Sequence, residues 1–170
     1  MLNPIDPHAV IRDGGAVGNY PWPVHTGVAW WMGSCFVVVA EARRLVAGHD
    51  GHAVSASMHE RLCRGAVNAQ HYACEVLDAG AVSETELLTA MKRHGTAPGA
   101  WITTTPGAPP DALVHVTLYD REGNRLTEES GLATIRSMIA QDRVPLPVNE
   151  QARGRVRCLP RPSTGKENHR

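Results

Sequence analysis

The chain lacks most of the features that identify a protein at a glance. It has no net charge, since 17 Lys and Arg balance 17 Asp and Glu. A protein whose whole surface tracks nucleic acid needs a positive field over its contact face, so that class is excluded. Phenylalanine occurs once, at Phe36, and aromatic residues make up 5% of the chain. The interleaving of bases with aromatic rings is therefore not to be expected. The longest apolar run, Val28 to Ala40, covers 13 residues before Glu41, Arg43 and Arg44 end it, whereas a membrane-spanning helix needs about 20. It is a core segment, with no membrane contact. The first residues, Met1-Leu2-Asn3-Pro4-Ile5-Asp6-Pro7, lack the basic and then apolar regions of a secretory signal, and the expected compartment is the cytoplasm. Four cysteines at irregular spacing, Cys35, Cys63, Cys74 and Cys158, read as reduced thiols rather than a disulfide framework. No phosphate-cradling glycine loop, Gly-x-Ser-x-Gly elbow, paired-histidine zinc motif or dinucleotide fingerprint is present.

What is there fits one folded unit. With 170 residues, 42% of them apolar and 20% charged, the chain can build a core that buries roughly 70% of its unfolded surface. Charge is unevenly placed: 16 of the 17 acidic residues, but only 11 of the 17 basic ones, lie before residue 151. The expected organisation is an extended arm over 1–27, an α+β domain over 28–150 and a basic, disordered tail over 151–170.

Periodicity supplies the elements. The nearly continuous apolar stretch from Val28, closed by Arg43-Arg44 and Gly48, predicts a helix over about 35–47. Ser57-x-x-Glu60 opens a run of apolar residues at three- and four-residue spacing that predicts a helix over 57–78. Ser83-x-x-Glu86 opens a shorter one ending at Lys92-Arg93-His94-Gly95, and the two together suggest a helical hairpin over 57–94. Trp101 to Thr105 and Ala112 to Tyr119 are β-favouring, and a turn at 120–124 leads into Arg125-Leu126-Thr127 as a hairpin. Thr127 caps a last helix with an apolar stripe at Leu132, Ile135, Met138 and Ile139. Val144 to Val148 and Arg155 to Leu159 read as short strands or extended chain. The expected fold is α+β, with three or four helices on one side of a small, mainly antiparallel sheet.

Two local patterns carry chemistry. Gly33-Ser34-Cys35-Phe36 sets a cysteine where a helix start would stabilise its thiolate, and His115, on a strand face with Thr117 and Tyr119, is the histidine best placed to act as its base. Gly-Ser-Cys-aromatic opening a helix, followed much later by His115-Val116-Thr117-Leu118-Tyr119 before a glycine turn, resembles the papain-like superfamily of cysteine peptidases and amidases. The resemblance implies a cysteine-dependent amide hydrolase in which Cys35 is the nucleophile, His115 the general base, and Asp120 or Asn124 the residue that orients the imidazole.

Other groupings carry weaker signals. His59 and Cys63, and separately His71 and Cys74, have helical chelating spacing, but a rise of 1.5 Å per residue sets the pairs about 12 Å apart. His49-x-x-His52 is a possible completion of the first pair. Without a tight Cys-x-x-Cys element no metal site is expected, and no cofactor. Arg153, Arg155, Arg157 and Arg161 in the tail suit a phosphate-contacting arm or a solvated tail. Four tryptophans, Trp22, Trp30, Trp31 and Trp101, suit a core, a pocket or an interface. The rival to the hydrolase is a non-enzymatic accessory protein that docks through the hairpin 57–94 and touches nucleic acid or an acidic partner with its tail.

Overall fold

In the computed structural model, which describes residues 5–69, 73–106, 112–143 and 153–160, a seven-stranded mixed sheet is covered by helices on both faces. In chain order the elements are α1 (Pro7–Val10), β1 (Ile11–Arg12), β2 (Gly15–Tyr20), α2 (Thr26–Val39), β3 (Arg44–His49), α3 (Ala53–Val67) and β4 (Glu75–Ala81). There follow α4 (Glu84–Arg93), β5 (Gly99–Pro106), β6 (Ala112–Tyr119), a π-type turn at Glu128–Leu132 running into α5 (Ala133–Ala140), and β7 (Arg155–Cys158). The strands lie in the order β1-β2-β6-β5-β3-β4-β7. The first four are antiparallel to one another, and β5, β3, β4 and β7 run parallel. The sheet is thus larger and more parallel than the small antiparallel one expected, and helices cover both of its faces.

The chain order explains the two-sided layering. From β3 it moves outward to β4 through α3, then returns past β3 to β5 through α4. Right-handed crossovers taken in opposite directions place α3 and α4 on opposite faces. The main core gathers Leu45, Ala47, Val76, Ile102, Val114 and Val116 from the sheet against α2, α3 and α5. A smaller core joins Val46, Leu77 and Tyr119 to Leu87 and Met91 of α4. The expected helical hairpin 57–94 therefore does not exist: β4 and the sheet separate its two helices.

The long apolar stretch holds two elements where one helix was expected. α2 is apolar nearly all round because it is buried nearly all round, a pattern that hides its boundaries. It ends in a Schellman arrangement in which Glu41 N donates to Val38 O (3.2 Å) and Ala42 N to Val37 O (2.9 Å). The left-handed residue is Glu41, at φ 50, where glycine is the usual signal. Arg44–His49 then leaves as β3. The 57–78 helix is likewise shorter than its spacing predicts, since α3 is capped at Asn68 and Glu75 already belongs to β4.

Residues read as a featureless arm build an edge of the sheet, where β2 pairs with β6 from Gly15↔Thr117 to Tyr20↔Ala112. β6 has its main hairpin partner in β5, while Arg125 meets it only in an isolated bridge to Tyr119. Within the basic tail, Arg155–Cys158 pairs in parallel with β4. Glu75 holds it there, accepting from Arg155 Nη2 at 2.8 Å and Arg157 Nη2 at 3.3 Å, with Arg44 Nε at 3.6 Å. Val144 to Val148 and Arg161 lie outside the described residues. The capping box of Ser83 and Glu86 forms, and Thr127 caps its turn through Ser130.

Two glycines set how α2 and α3 meet. A Cβ on Gly33 would run into the Leu62 carbonyl, and one on Gly65 into the Trp30 carbonyl. Alanine favours a helix over glycine by about 1 kcal/mol, so propensity alone predicts that Gly65→Ala stabilises. Backbone atoms cannot yield as a flexible side chain does, and we expect Gly65→Ala to destabilise by about 1–3 kcal/mol in urea unfolding. A neutral or stabilising result would mean that the helices are not held this closely.

Candidate functional site

The structure keeps apart the residues assigned to a cysteine hydrolase. Cys35 is the tenth residue of α2, far from the helix start, and is fully buried. Burial pushes its thiol up to about 12, so no thiolate is available at neutral pH. α2 packs on the sheet face that carries Val114 and Val116, and alternation along β6 points His115 to the other face. There His115 Nε2 donates to the Asp13 carbonyl at 2.8 Å. Asp120 Oδ1 accepts the N–H groups of Glu122 (3.0 Å) and Asn124 (2.9 Å), which fixes the turn after β6. The sheet stands between thiol and imidazole.

The metal-type pairs fare differently. His59 and Cys63 are neighbours on α3, with Cys63 Sγ 3.7 Å from His59 Nε2. That same nitrogen is 2.8 Å from Asp78 Oδ1 on β4. One ring nitrogen cannot both receive a proton from the thiol and donate one to the carboxylate, so no relay of thiol, imidazole and carboxylate exists here. Burial also pushes Cys63 up to about 12. Among the described residues no group of three or more His, Cys, Asp or Glu side chains is arranged to hold a metal ion. His71 lies outside them.

Where polar groups do gather is the carboxyl edge of the parallel strands. The strand order reverses on either side of β3, and in such sheets ligands bind in the crevice at the carboxyl ends of the strands, where the two crossovers diverge. Here the crossovers leave β3 through α3 and β4 through α4, so that crevice lies between β3 and β4. Asp50, the residue after β3, stands beside it and ties the loop to β5: Oδ2 accepts Thr104 N of β5 at 2.8 Å, and Oδ1 accepts His52 N at 3.0 Å. Its own N–H donates to Ile102 O at 3.0 Å. Partial burial works against ionisation of Asp50, but the two N–H donors outweigh it and hold the carboxyl below its ordinary range. Behind it, the hydroxyls of Ser55 and Thr104, both buried, lie 2.6 Å apart.

Three imidazoles on this edge share one protonation pattern. His52 Nδ1 accepts Val54 N at 3.1 Å as the cap of α3, and His25 Nδ1 accepts Gly27 N at 3.1 Å as the cap of α2. His49 Nδ1 accepts Gly51 N at 3.1 Å. A backbone N–H only donates, so each Nδ1 must present its lone pair, and in each neutral ring the proton sits on Nε2. The edge thus presents the Nε2–H donors of His49 and His52, oriented by the backbone, while that of His25 is buried. His25 lies in the loop leaving β2, whose end at Tyr20 adjoins the starts and ends of β6 and β5 on this edge.

A second histidine layer lies beneath. His49 is tilted against His59, their ring centroids 4.9 Å apart. Desolvation, then the neighbouring His59, lowers the pKa of His49. Asp78 is held below its usual range first by the His59 hydrogen bond, and further by Gly80 N at 2.8 Å. His59 Nδ1 is buried without a partner. Two open concavities lie elsewhere. One, of about 490 Å³, is at the amino edge among Arg43, Arg44, Glu75, His94 and Arg121. The other, of about 720 Å³, is between α4 and Leu159. At the amino edge Arg121 already donates to the Ala40 and Glu41 carbonyls ending α2; its positive charge answers helix carbonyls rather than an open anion site.

Sequence reading passed over Asp50, Ser55, Thr104 and His25. The available signal was Gly48-His49-Asp50-Gly51-His52, a strand end running through a glycine turn into a helix, and it was obscured by reading 35–47 as helix.

No family model matches the chain, and no curated protein sequence does. Among solved structures it is similar to a phosphoglucomutase/phosphomannomutase family protein from Burkholderia thailandensis, with a TM-score of 0.63 and 16% identity over 91% of this chain. The match takes in 33% of that protein, so the chain spans about a third of its length. The likeness is one of fold. It overturns the papain-like resemblance, whose matching residues occupy a sheet and helix order of another kind, and with it the thiol hydrolase reading. No helix among the described residues is long and apolar enough to cross a membrane.

The lowered pKa of His49 predicts a pH response. An imidazole whose pKa is lower in the folded than in the unfolded chain takes up its proton more readily when unfolded, so stability falls as pH drops below the unfolded value of about 6.5. Asp50 and Asp78, depressed carboxyls, add stability that is present above about 4 and lost below it. The melting temperature should decline from pH 7 to pH 5 and more steeply below pH 4. His49→Gln should flatten the first limb, and an equal slope in that variant would remove His49 as its source.

Proposed function

We propose that this chain is a domain of phosphosugar-handling type that receives a phosphorylated sugar at the carboxyl edge of its parallel strands. The observation that carries the reading is the pair of Nε2–H donors of His49 and His52 beside the ionised Asp50, in the loop that leaves β3 at the crevice where the fold reverses. The neighbour's membership of a phosphoglucomutase/phosphomannomutase family supports it at the level of fold.

A phosphosugar presents two kinds of group, and the edge offers a partner to each. Phosphate oxygens accept, and imidazole N–H donors on the rim of α3, whose amino end adds a partial positive charge, suit them. Sugar hydroxyls donate, and Asp50 suits them because a carboxylate has about four lone-pair sites and only Thr104 N, His52 N and the Ser55 hydroxyl face it. Ser55 and Thr104 fix the floor against which Asp50 is held. Because the chain spans about a third of the similar protein, its share in the proposed activity is to bind and orient.

Titration with α-D-glucose 1-phosphate, followed by histidine and backbone NMR shifts, tests this. Shifts should cluster at His49, Asp50, His52 and Thr104, and glucose should produce them only far more weakly. His52→Ala should weaken binding about tenfold, the worth of one charge-assisted hydrogen bond. Absence of shifts at millimolar ligand, or shifts confined to the amino edge, would overturn the proposal.

A further inference from the structure

Trp22 stands apart from the other tryptophans. Trp31 is buried, Trp30 is packed at the margin of the main core, and Trp101 spends its indole N–H on the Val82 carbonyl at 3.1 Å. Trp22 is 60% exposed, the most open large apolar side chain among the described residues. Leaving an indole in water forgoes the burial that normally holds it in a core, so its placement needs a reason.

The ring is nevertheless fixed. One face lies parallel to the His25 imidazole, with centroids 5.7 Å apart and planes 11° from parallel. His25 is itself held as the cap of α2. Pro21 and Pro23 flank Trp22, and Val24 N donates to Asn19 O at 2.9 Å, closing the loop onto the end of β2. Gly18 gives this closure room, since a Cβ there would meet Val24 Cγ2 at 2.9 Å. The indole therefore rests, offset, on an imidazole and is otherwise largely open, so little ordering entropy remains to be lost when something stacks on it.

Its position matters too. Tyr20, at the end of β2, pairs with Ala112 of β6, which pairs with Pro106 at the end of β5. The Trp22 loop therefore leaves from the same carboxyl edge as Asp50 and His52. From β2 to β3 is three strand spacings, about 14 Å, part of which the indole itself covers. His25 Nε2, behind the indole, is buried and has no partner. Leu113, the other large apolar residue exposed near this edge, is 41% exposed, and together the two fall short of the several hundred Å² of contiguous apolar surface that marks a protein interface.

We infer that Trp22 is the sugar-stacking platform of this edge: the open indole face takes the apolar face of a pyranose ring, while imidazole N–H donors toward β3 take its phosphate. The inference rests on the phosphosugar reading and adds the residue that distinguishes a sugar phosphate from phosphate alone. C–H groups on one face of a pyranose meet the negative face of an indole, a contact that inorganic phosphate cannot make.

The test compares α-D-glucose 1-phosphate with inorganic phosphate by calorimetry, on the full chain and on Trp22→Ala and Trp22→Phe. Trp22→Ala should weaken glucose 1-phosphate binding about tenfold, Trp22→Phe should retain most of it, and phosphate affinity should be equal in all three. Glucose 1-phosphate should also quench the exposed-tryptophan fluorescence of the wild type, and not that of Trp22→Ala. If the wild type binds glucose 1-phosphate and Trp22→Ala binds it equally well, the platform is overturned and the phosphosugar reading stands. Equal loss of phosphate binding in Trp22→Ala would also overturn it, as would a change in sedimentation that marks Trp22 as a protein contact. If the wild type binds neither ligand, the phosphosugar reading fails and the platform with it.

Discussion

The architecture of the carboxyl edge is set by the parallel pairing of β3 with β4 on one side and β5 on the other. Once β3 is central, the chirality of the crossovers sends α3 and α4 to opposite faces. The connections that leave the carboxyl ends of β3 and β4 must then diverge, and a crevice opens between them. The strand interiors are apolar on both faces, as parallel strands covered twice must be, and polar side chains are pushed out to the edges. That is why Asp50 and His52 sit beyond the end of β3 and not within it.

The carboxyl edge is held by hydrogen bonds whose direction the backbone dictates. Asp50 joins the β3–α3 loop to β5 through two N–H groups, and three imidazoles are each fixed by one. In each case a backbone donor that would otherwise lack a partner at a strand end or helix start finds one in a side chain. The same bonds leave the Nε2–H of His49 and of His52 in defined places.

The amino edge has the opposite character. Helix carbonyl ends gather there with arginines that answer them, and Glu75 draws Arg44, Arg155 and Arg157 together. Arg155 and Arg157 therefore act within the fold. Glu75 accepts Arg155 first among its partners and is held below its usual range, and β7 is thereby drawn onto β4.

Sequence alone determined the local features: the Ser83 and Glu86 capping box, the Thr127 cap, the Ala112 to Tyr119 strand and the mixture of helix and strand. Each depends on contacts within a few residues, and these are written in short patterns. Tertiary structure decided the rest. The end of α2 at Glu41 carries no glycine signal, because its left-handed turn is stabilised by Schellman hydrogen bonds and by the strand that follows. The strands at 11–12 and 15–20 have little pattern of their own, and β2 forms because β6 offers it an edge; Arg155 to Leu159 reads from sequence as strand or extended chain, and pairing with β4 makes Arg155–Cys158 a strand. Cys35 and His115 fall on opposite sides of the sheet, which no spacing along the chain can reveal. Asp50 and Thr104 meet across 54 residues for the same reason: only the pairing of β3 with β5 brings those strand ends together.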